Sequence, residues 1–303
     1  MTVLSSPVGL RRRPRSRPVA ATIQAGEAAE VVSLVSSAFT MIAIISLWFV
    51  FQVLVLSGFS QAREQHLLYG DFREQLASMT APLGPVTPAG DPVALLTVPR
   101  LGLQQVVVEG TASGDLLAGP GHSRNTVLPG QQGVSLLLGR SRTYGAPFGS
   151  LTDLRAGDRI VSQTGQGRTV FTVDGLRVSG DPVRPVPAGA ARLTLATSQG
   201  GGTLGGLRAG QVVYLDATAA RGFPAAPGRP TAVPDSERVQ ASDPGALPML
   251  ALALALLAAL TLAITSARQR WSAALVWVIA SPVAIALSWF TTDVVMRLLP
   301  NLM

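Results

Sequence analysis

Ser198 closes the run "LTLATSQG" (193–200), in which Leu193 and Leu195 alternate with small or polar neighbours. That is the period of a half-buried strand. A hydroxyl at the end of such a strand, facing a glycine-rich loop, sits where a nucleophile would attack an acyl group. A serine hydroxyl is protonated at neutral pH and needs a base within hydrogen-bond reach. The chain has no cysteine and two histidines, His66 and His122. Disulfides, thiolate metal sites and thiol catalysis are therefore excluded. His66 falls in a helical stretch outside the β-rich region, which leaves His122 as the base for acyl transfer at Ser198.

Other chemistry finds no pattern. "GGGTLGG" (200–206) opens no helix and follows no nucleotide-binding βαβ unit, so it is not a phosphate cradle. Glu109, Asp115, Asp153, Asp158 and Asp174 are scattered, without the spacing of paired catalytic carboxylates or a calcium loop. Asp153 and Asp158 read as turn residues. No metal site and no cofactor is expected.

The elements that must carry these residues divide the 303-residue chain. All 24 basic side chains are arginine, and Arg11, Arg12, Arg13, Arg15 and Arg17 crowd the amino-terminal tail, 1–34. The uncharged stretch at 35–56 is long enough to span a bilayer, and no small-residue cleavage site follows it. It reads as a retained anchor. The preceding arginines then mark the cytoplasmic side rather than a nucleic-acid contact, and no nucleic-acid partner is expected. Two further apolar spans, 246–265 and 272–290, flank Arg268 and Arg270, which places their connector on the same cytoplasmic side. The second contains Pro282, which membrane helices tolerate. Trp48, Trp271, Trp277 and Trp289 lie in or beside these spans. Everything between the first and second spans, and the short tail 291–303, is then extracytoplasmic.

The exported part begins with 57–92, a helix-patterned stalk followed by a Pro/Gly linker. Over 93–217 come seven short β-like runs, separated by Gly, Pro, Asp and Asn turns, with a hairpin expected at Gly165–Gln166–Gly167. Many short strands at this spacing predict a mainly β fold, a barrel or a sandwich. A Pro-rich linker, 218–245, leads back to the membrane.

Several motifs in this region resemble the sortase family, in particular the class E type of actinobacteria. They are "VPRLGLQQVVVEG", "LLAGPGHSRNTVLPGQQG", "RTYGAPFGSLTDLRAGDRIV" and "ARLTLATSQG", in that order. The resemblance implies a sortase-like β-barrel; together with the apolar spans read above, the expected fold is mainly β, an extracytoplasmic barrel with three α-helical transmembrane segments, one amino-terminal and two carboxy-terminal. It also implies a membrane-anchored transpeptidase using cysteine, histidine and arginine. Matched residue by residue, the cysteine position is Ser198 and the histidine position is Arg140. The arginine position is Gln211, or Arg208 if the loop is shifted. A guanidinium is no base at physiological pH. The resemblance therefore implies a degenerate, non-catalytic sortase. The expected groove residues are His122, Arg140, Arg142, Tyr144, Ser198 and Arg208. Arg140 would place a permanent cation there, able to hold a carboxylate, phosphate or headgroup. The expected partners are the membrane, a membrane or cell-envelope protein, and a peptide ligand. Acyl transfer by Ser198 with His122 is the alternative.

Overall fold

The computed structural model describes residues 36, 39, 43, 46–84, 86–200 and 210–303. The span expected at 35–56 falls partly outside them, and the residues of it that are described are helical. From residue 50 onward the chain forms one compact unit. After a π-helical turn, Gln52–Leu56, helix α1 runs from Ser57 to Ala77.

Eight strands follow: β1 (Pro92–Val98), β2 (Leu103–Glu109), β3 (Gly121–His122), β4 (Gly133–Leu138), β5 (Arg159–Thr164), β6 (Gly167–Val178), β7 (Ala191–Gln199) and β8 (Gln211–Ala219). They close into a barrel in the order β1-β2-β3-β4-β7-β8-β6-β5, with β5 pairing back to β1. Each of the seven β-like runs of the sequence falls on a strand, four of them overrunning its end by one residue. The eighth, β3, was not legible. It is two residues long, yet it joins β2 in parallel through Glu109↔His122 and β4 antiparallel through His122↔Leu137. The expected hairpin is present, with Thr164 opposite Gly167.

Alternation along the strands fills the barrel with Leu96, Val98, Val107, Leu137, Ile160, Phe171, Leu193, Leu195 and Leu215. Each such side chain contributes about 1.5–3 kcal/mol by leaving water. β7 departs from the half-buried expectation, because all of its residues up to Ser198 are buried. Its second face carries Ala196, which Leu116, Leu138, Val212 and Leu302 cover.

The segment expected as a stalk lies against the barrel instead. Phe72 is fully buried and packs with Ala81 and Val106. Gln65 supplies the reason. β3 begins its pairing only at Val108, so Val106 presents an unpaired backbone edge. The Gln65 amide accepts from Val106 N at 2.7 Å and donates to Val106 O at 3.0 Å and Ala118 O at 2.9 Å.

Two apolar helices close the chain, α2 (Leu247–Arg268) and α3 (Ala273–Leu298). Among the described residues they are the two helices long and apolar enough to cross a membrane. They pack on each other and leave Leu262 and Val278 about 70% exposed, at 68% and 72%. α3 carries Pro282 within it and runs eight residues beyond the expected end at Phe290.

Gln65→Ala strands the Val106 backbone groups. We expect it to cost about 1–3 kcal/mol, read as a lowered midpoint in thermal denaturation of the detergent-solubilised chain. An unchanged midpoint would show that α1 does not seal the barrel.

Candidate functional site

β4 and β7 run parallel, with Leu138 opposite Ala196. The chain leaving β4 therefore emerges beside the end of β7. Gly139 N donates to Ala196 O at 3.0 Å, and Thr197 Oγ1 returns a bond to Gly139 O at 3.0 Å. Just beyond, the hydroxyls of Ser141 and Ser198 meet at 3.0 Å. This pairing brings the Arg140 and Ser198 regions together, although 57 residues separate Ser141 from Ser198.

Arg140 is fully buried. Its Nη2 donates to Ser113 O and Oγ, both at 2.9 Å. Its Nη1 reaches Thr143 Oγ1 at 3.3 Å and Met303 O at 3.4 Å. Nε has no partner. The guanidinium sits 5.4 Å from the centroid of the Tyr144 ring, close enough for a cation–π attraction. Among the described residues no side-chain carboxylate forms an ion pair with it. Burial lowers its pKa to about 10, which leaves it charged at neutral pH.

Tyr144 has a left-handed backbone (φ 50°), rare for a bulky residue. Its amide donates to Ser57 Oγ and its hydroxyl to Asp293 on α3. Burial, reinforced by the charge of Asp293, pushes the Tyr144 hydroxyl well above its usual range.

Ser198 is 7% exposed. Its hydroxyl donates to Leu302 O at 2.7 Å. The same carbonyl accepts from Ser141 N and Ser141 Oγ, each at 3.2 Å. Three donors thus converge on one peptide oxygen.

His122 is not part of this group. Its Nδ1 faces Glu109 Oε2 at 2.8 Å, and its Nε2 faces Val127 O at 2.8 Å and Thr126 Oγ1 at 3.1 Å. With both nitrogens engaged, no lone pair is directed at Ser198, and His122 holds β3 in the barrel wall instead. His66 is exposed on α1.

Arg142 is exposed and donates to Gly200 O at 3.2 Å. With Ser141, Phe148, Thr152, Thr197 and Ser198 it lines a cavity of about 570 Å³. Gln211 is exposed at the start of β8, opposite Gln199. Arg208 lies outside the described residues. Ser113, Ser141, Thr143 and the 301–303 segment complete the site and were not singled out from sequence. Ser141 and Thr143 flank Arg142 in chain order, but nothing in the spacing marks residues near 300 as neighbours of β7.

Residues 96–200 match the family model for the sortase domain. The chain carries a sortase domain. Among solved structures it is similar to a sortase D5 transpeptidase from Clostridium perfringens, at 19% identity over 52% of this chain and 97% of that chain, with a TM-score of 0.41. It is also similar to sortase E from Streptomyces avermitilis, at 27% identity over 50% of this chain and 100% of that one, with a TM-score of 0.35. The SrtA sortase of Actinomyces oris shows 27% identity over 51% and 94% of the two chains, with a TM-score of 0.39. No curated protein matches the sequence. Sortases are normally cysteine transpeptidases. This sortase domain has no cysteine, and serine and arginine stand at the positions matched above.

Next to the site, Asn301 Nδ2 donates to Thr111 O at 2.7 Å, and Thr111 Oγ1 donates to Glu237 O at 2.6 Å. Burial holds the Glu237 and Asp115 carboxyls above their ordinary range, Arg124 partly opposing it. A carboxyl whose pKa rises on folding binds more protons folded than unfolded. Its stabilisation is complete below the unfolded pKa and is lost as pH rises through the folded value. Mild acidification from about pH 7 to about pH 5 should therefore stabilise the chain through these groups. Glu237→Gln should flatten that rise in denaturation midpoints, and an identical pH profile in the variant would contradict it.

Proposed function

We propose that the chain is a non-catalytic, sortase-type membrane protein whose extracytoplasmic barrel binds a peptide or partner subunit in a cell-envelope complex. The observation that carries this reading is the Ser198 hydroxyl. It donates to a main-chain carbonyl, Leu302 O, alongside two donors from Ser141. A hydroxyl in that role stabilises a bound peptide bond. A nucleophile would instead need to give its proton to a base. The residue at the histidine position, Arg140, is a buried cation that supplies donors only. The alternative base, His122, is engaged by Glu109 and Val127.

The membrane arrangement belongs to the same proposal. The amino terminus is cytoplasmic, the 35–56 segment is an anchor, and α2 and α3 form a membrane hairpin whose connector carries Arg268 and Arg270. Contacts between the barrel and residues 301–303 support a hairpin, because two crossings return the chain to the barrel's side. The two extra helices suit docking within a membrane assembly better than simple anchoring.

The test is a peptide assay on the intact chain. Sorting-signal-type peptides should bind saturably without cleavage, and Ser198→Ala should leave the cleavage background unchanged. Turnover that Ser198→Ala abolishes would overturn the proposal in favour of serine-dependent transpeptidation or hydrolysis.

A further inference from the structure

Residues Asn301, Leu302 and Met303 are 0%, 1% and 3% exposed. Segments that follow the last helix of a domain are poorly ordered unless something ties them down. Apart from the turn bond from Met303 N to Pro300 O at 3.3 Å, the polar ties of these three residues lead to the barrel domain or the linker that follows it. Leu302 O takes the three donors from Ser141 and Ser198. Met303 O accepts from Thr143 Oγ1 at 2.7 Å and from Arg140. Asn301 donates through its side chain to Thr111 O and Arg238 O, and through its amide to Ala241 O at 2.9 Å. The Leu302 side chain fills an apolar recess formed by Leu116, Leu138, Ala196 and Val212. Peptide carbonyls met by hydroxyl and amide donors, beside a pocket for one aliphatic side chain, are the elements of a peptide-binding site.

We propose that Pro300–Met303 is a tethered occupant of the vacated sortase site. It latches the end of α3 to the barrel, and an external peptide binds only by displacing it. The connection to α3 is direct. Ser113 Oγ, which accepts from Arg140, donates to Met296 O at 2.8 Å and Leu299 O at 3.1 Å. Asp243 N donates to Arg297 O at 2.9 Å. The last carbonyls of α3, which no residue of the helix itself can satisfy, are thus capped from the barrel side. Releasing the 300–303 segment would free the Ser198 and Ser141 hydroxyls from Leu302 O and loosen the capped helix end together, coupling the site to the α2–α3 pair. The ligand class follows from the occupant: a short peptide with an aliphatic side chain in the Leu302 recess and a free carbonyl at the Ser141–Ser198 donors. This last step rests on the peptide-binding reading above.

The native chain has no cysteine, so Ser198→Cys introduces a single reporting thiol. In the intact protein in detergent, its alkylation by a maleimide should be slow. Adding Leu302→Asp should accelerate it by about tenfold or more through opening of the segment. Asn301→Ala, which leaves the apolar recess filled, should accelerate it by a smaller factor, and a cooperative melting transition in each variant shows that the barrel is folded. The probe peptide Leu-Pro-Asn-Leu-Met, added in trans to the Leu302→Asp variant, should slow alkylation again. Rates unchanged by both substitutions in folded protein would overturn the latch. Acceleration that the peptide cannot reverse would keep the latch and defeat the peptide-binding reading.

Discussion

A guanidinium buried to zero exposure at residue 140 is the constraint around which the end of the barrel is organised. Removing that charge from water costs several kcal/mol unless its donors are met. No side-chain carboxylate among the described residues pairs with it, so hydroxyl and main-chain oxygens serve. Ser113 and Thr143 supply carbonyl and hydroxyl oxygens, Met303 a main-chain oxygen, and Tyr144 a ring face. Ser113 also links the cation to the last carbonyls of α3, the negative end of that helix dipole, where a cation is favoured by about 0.3–1 kcal/mol and by up to about 2 when partly buried. Position 140 thus holds a buried charge whose nitrogens donate to oxygens of the Ser113, Thr143 and Met303 segments.

The strand pairing explains why this charge lies on the segment next to Ser198. Parallel β4 and β7 deliver Ser141 and Ser198 to one point, and what lies there is a peptide carbonyl. The architecture that in a transpeptidase would hold a scissile bond against a nucleophile here holds a carbonyl against donors. The capped end of α3 and the Tyr144–Asp293 bond carry the connection onward to the apolar helix pair α2 and α3.

Much of the barrel could be read from sequence because alternation, turn glycines and the GPGH and TYGAPFG segments are local signals. β7 is the instructive exception. Its Leu193 and Leu195 predicted one buried face, and the burial of Ala196 on the other comes from Leu116, Leu138, Val212 and Leu302, the last more than a hundred positions away. β3 was hidden for the opposite reason: two residues carry no periodicity, and only their pairing with β2 and β4 makes them a strand. Arg140 and Ser198 were legible as substitutions in a resembling frame, and the loss of a base could be argued from residue chemistry alone. Gln65, Ser113 and Asn301 were not, since each serves a backbone group whose need arises only after folding. His122 shows the limit of elimination. It was the one histidine left for catalysis, and its ring is committed to Glu109 and Val127 in the wall.

Backbone hydrogen exchange on the intact chain in a bilayer mimetic, comparing the native protein with Arg140→Ser, tests the central claim most directly. If the buried guanidinium holds the site closed, the Ser141 amide and residues 301–303 are protected together in the native protein. In the variant they should lose protection together, while β1 and β2 keep theirs. Protection at 301–303 that persists after loss of the guanidinium would contradict the account, as would loss at Ser141 alone.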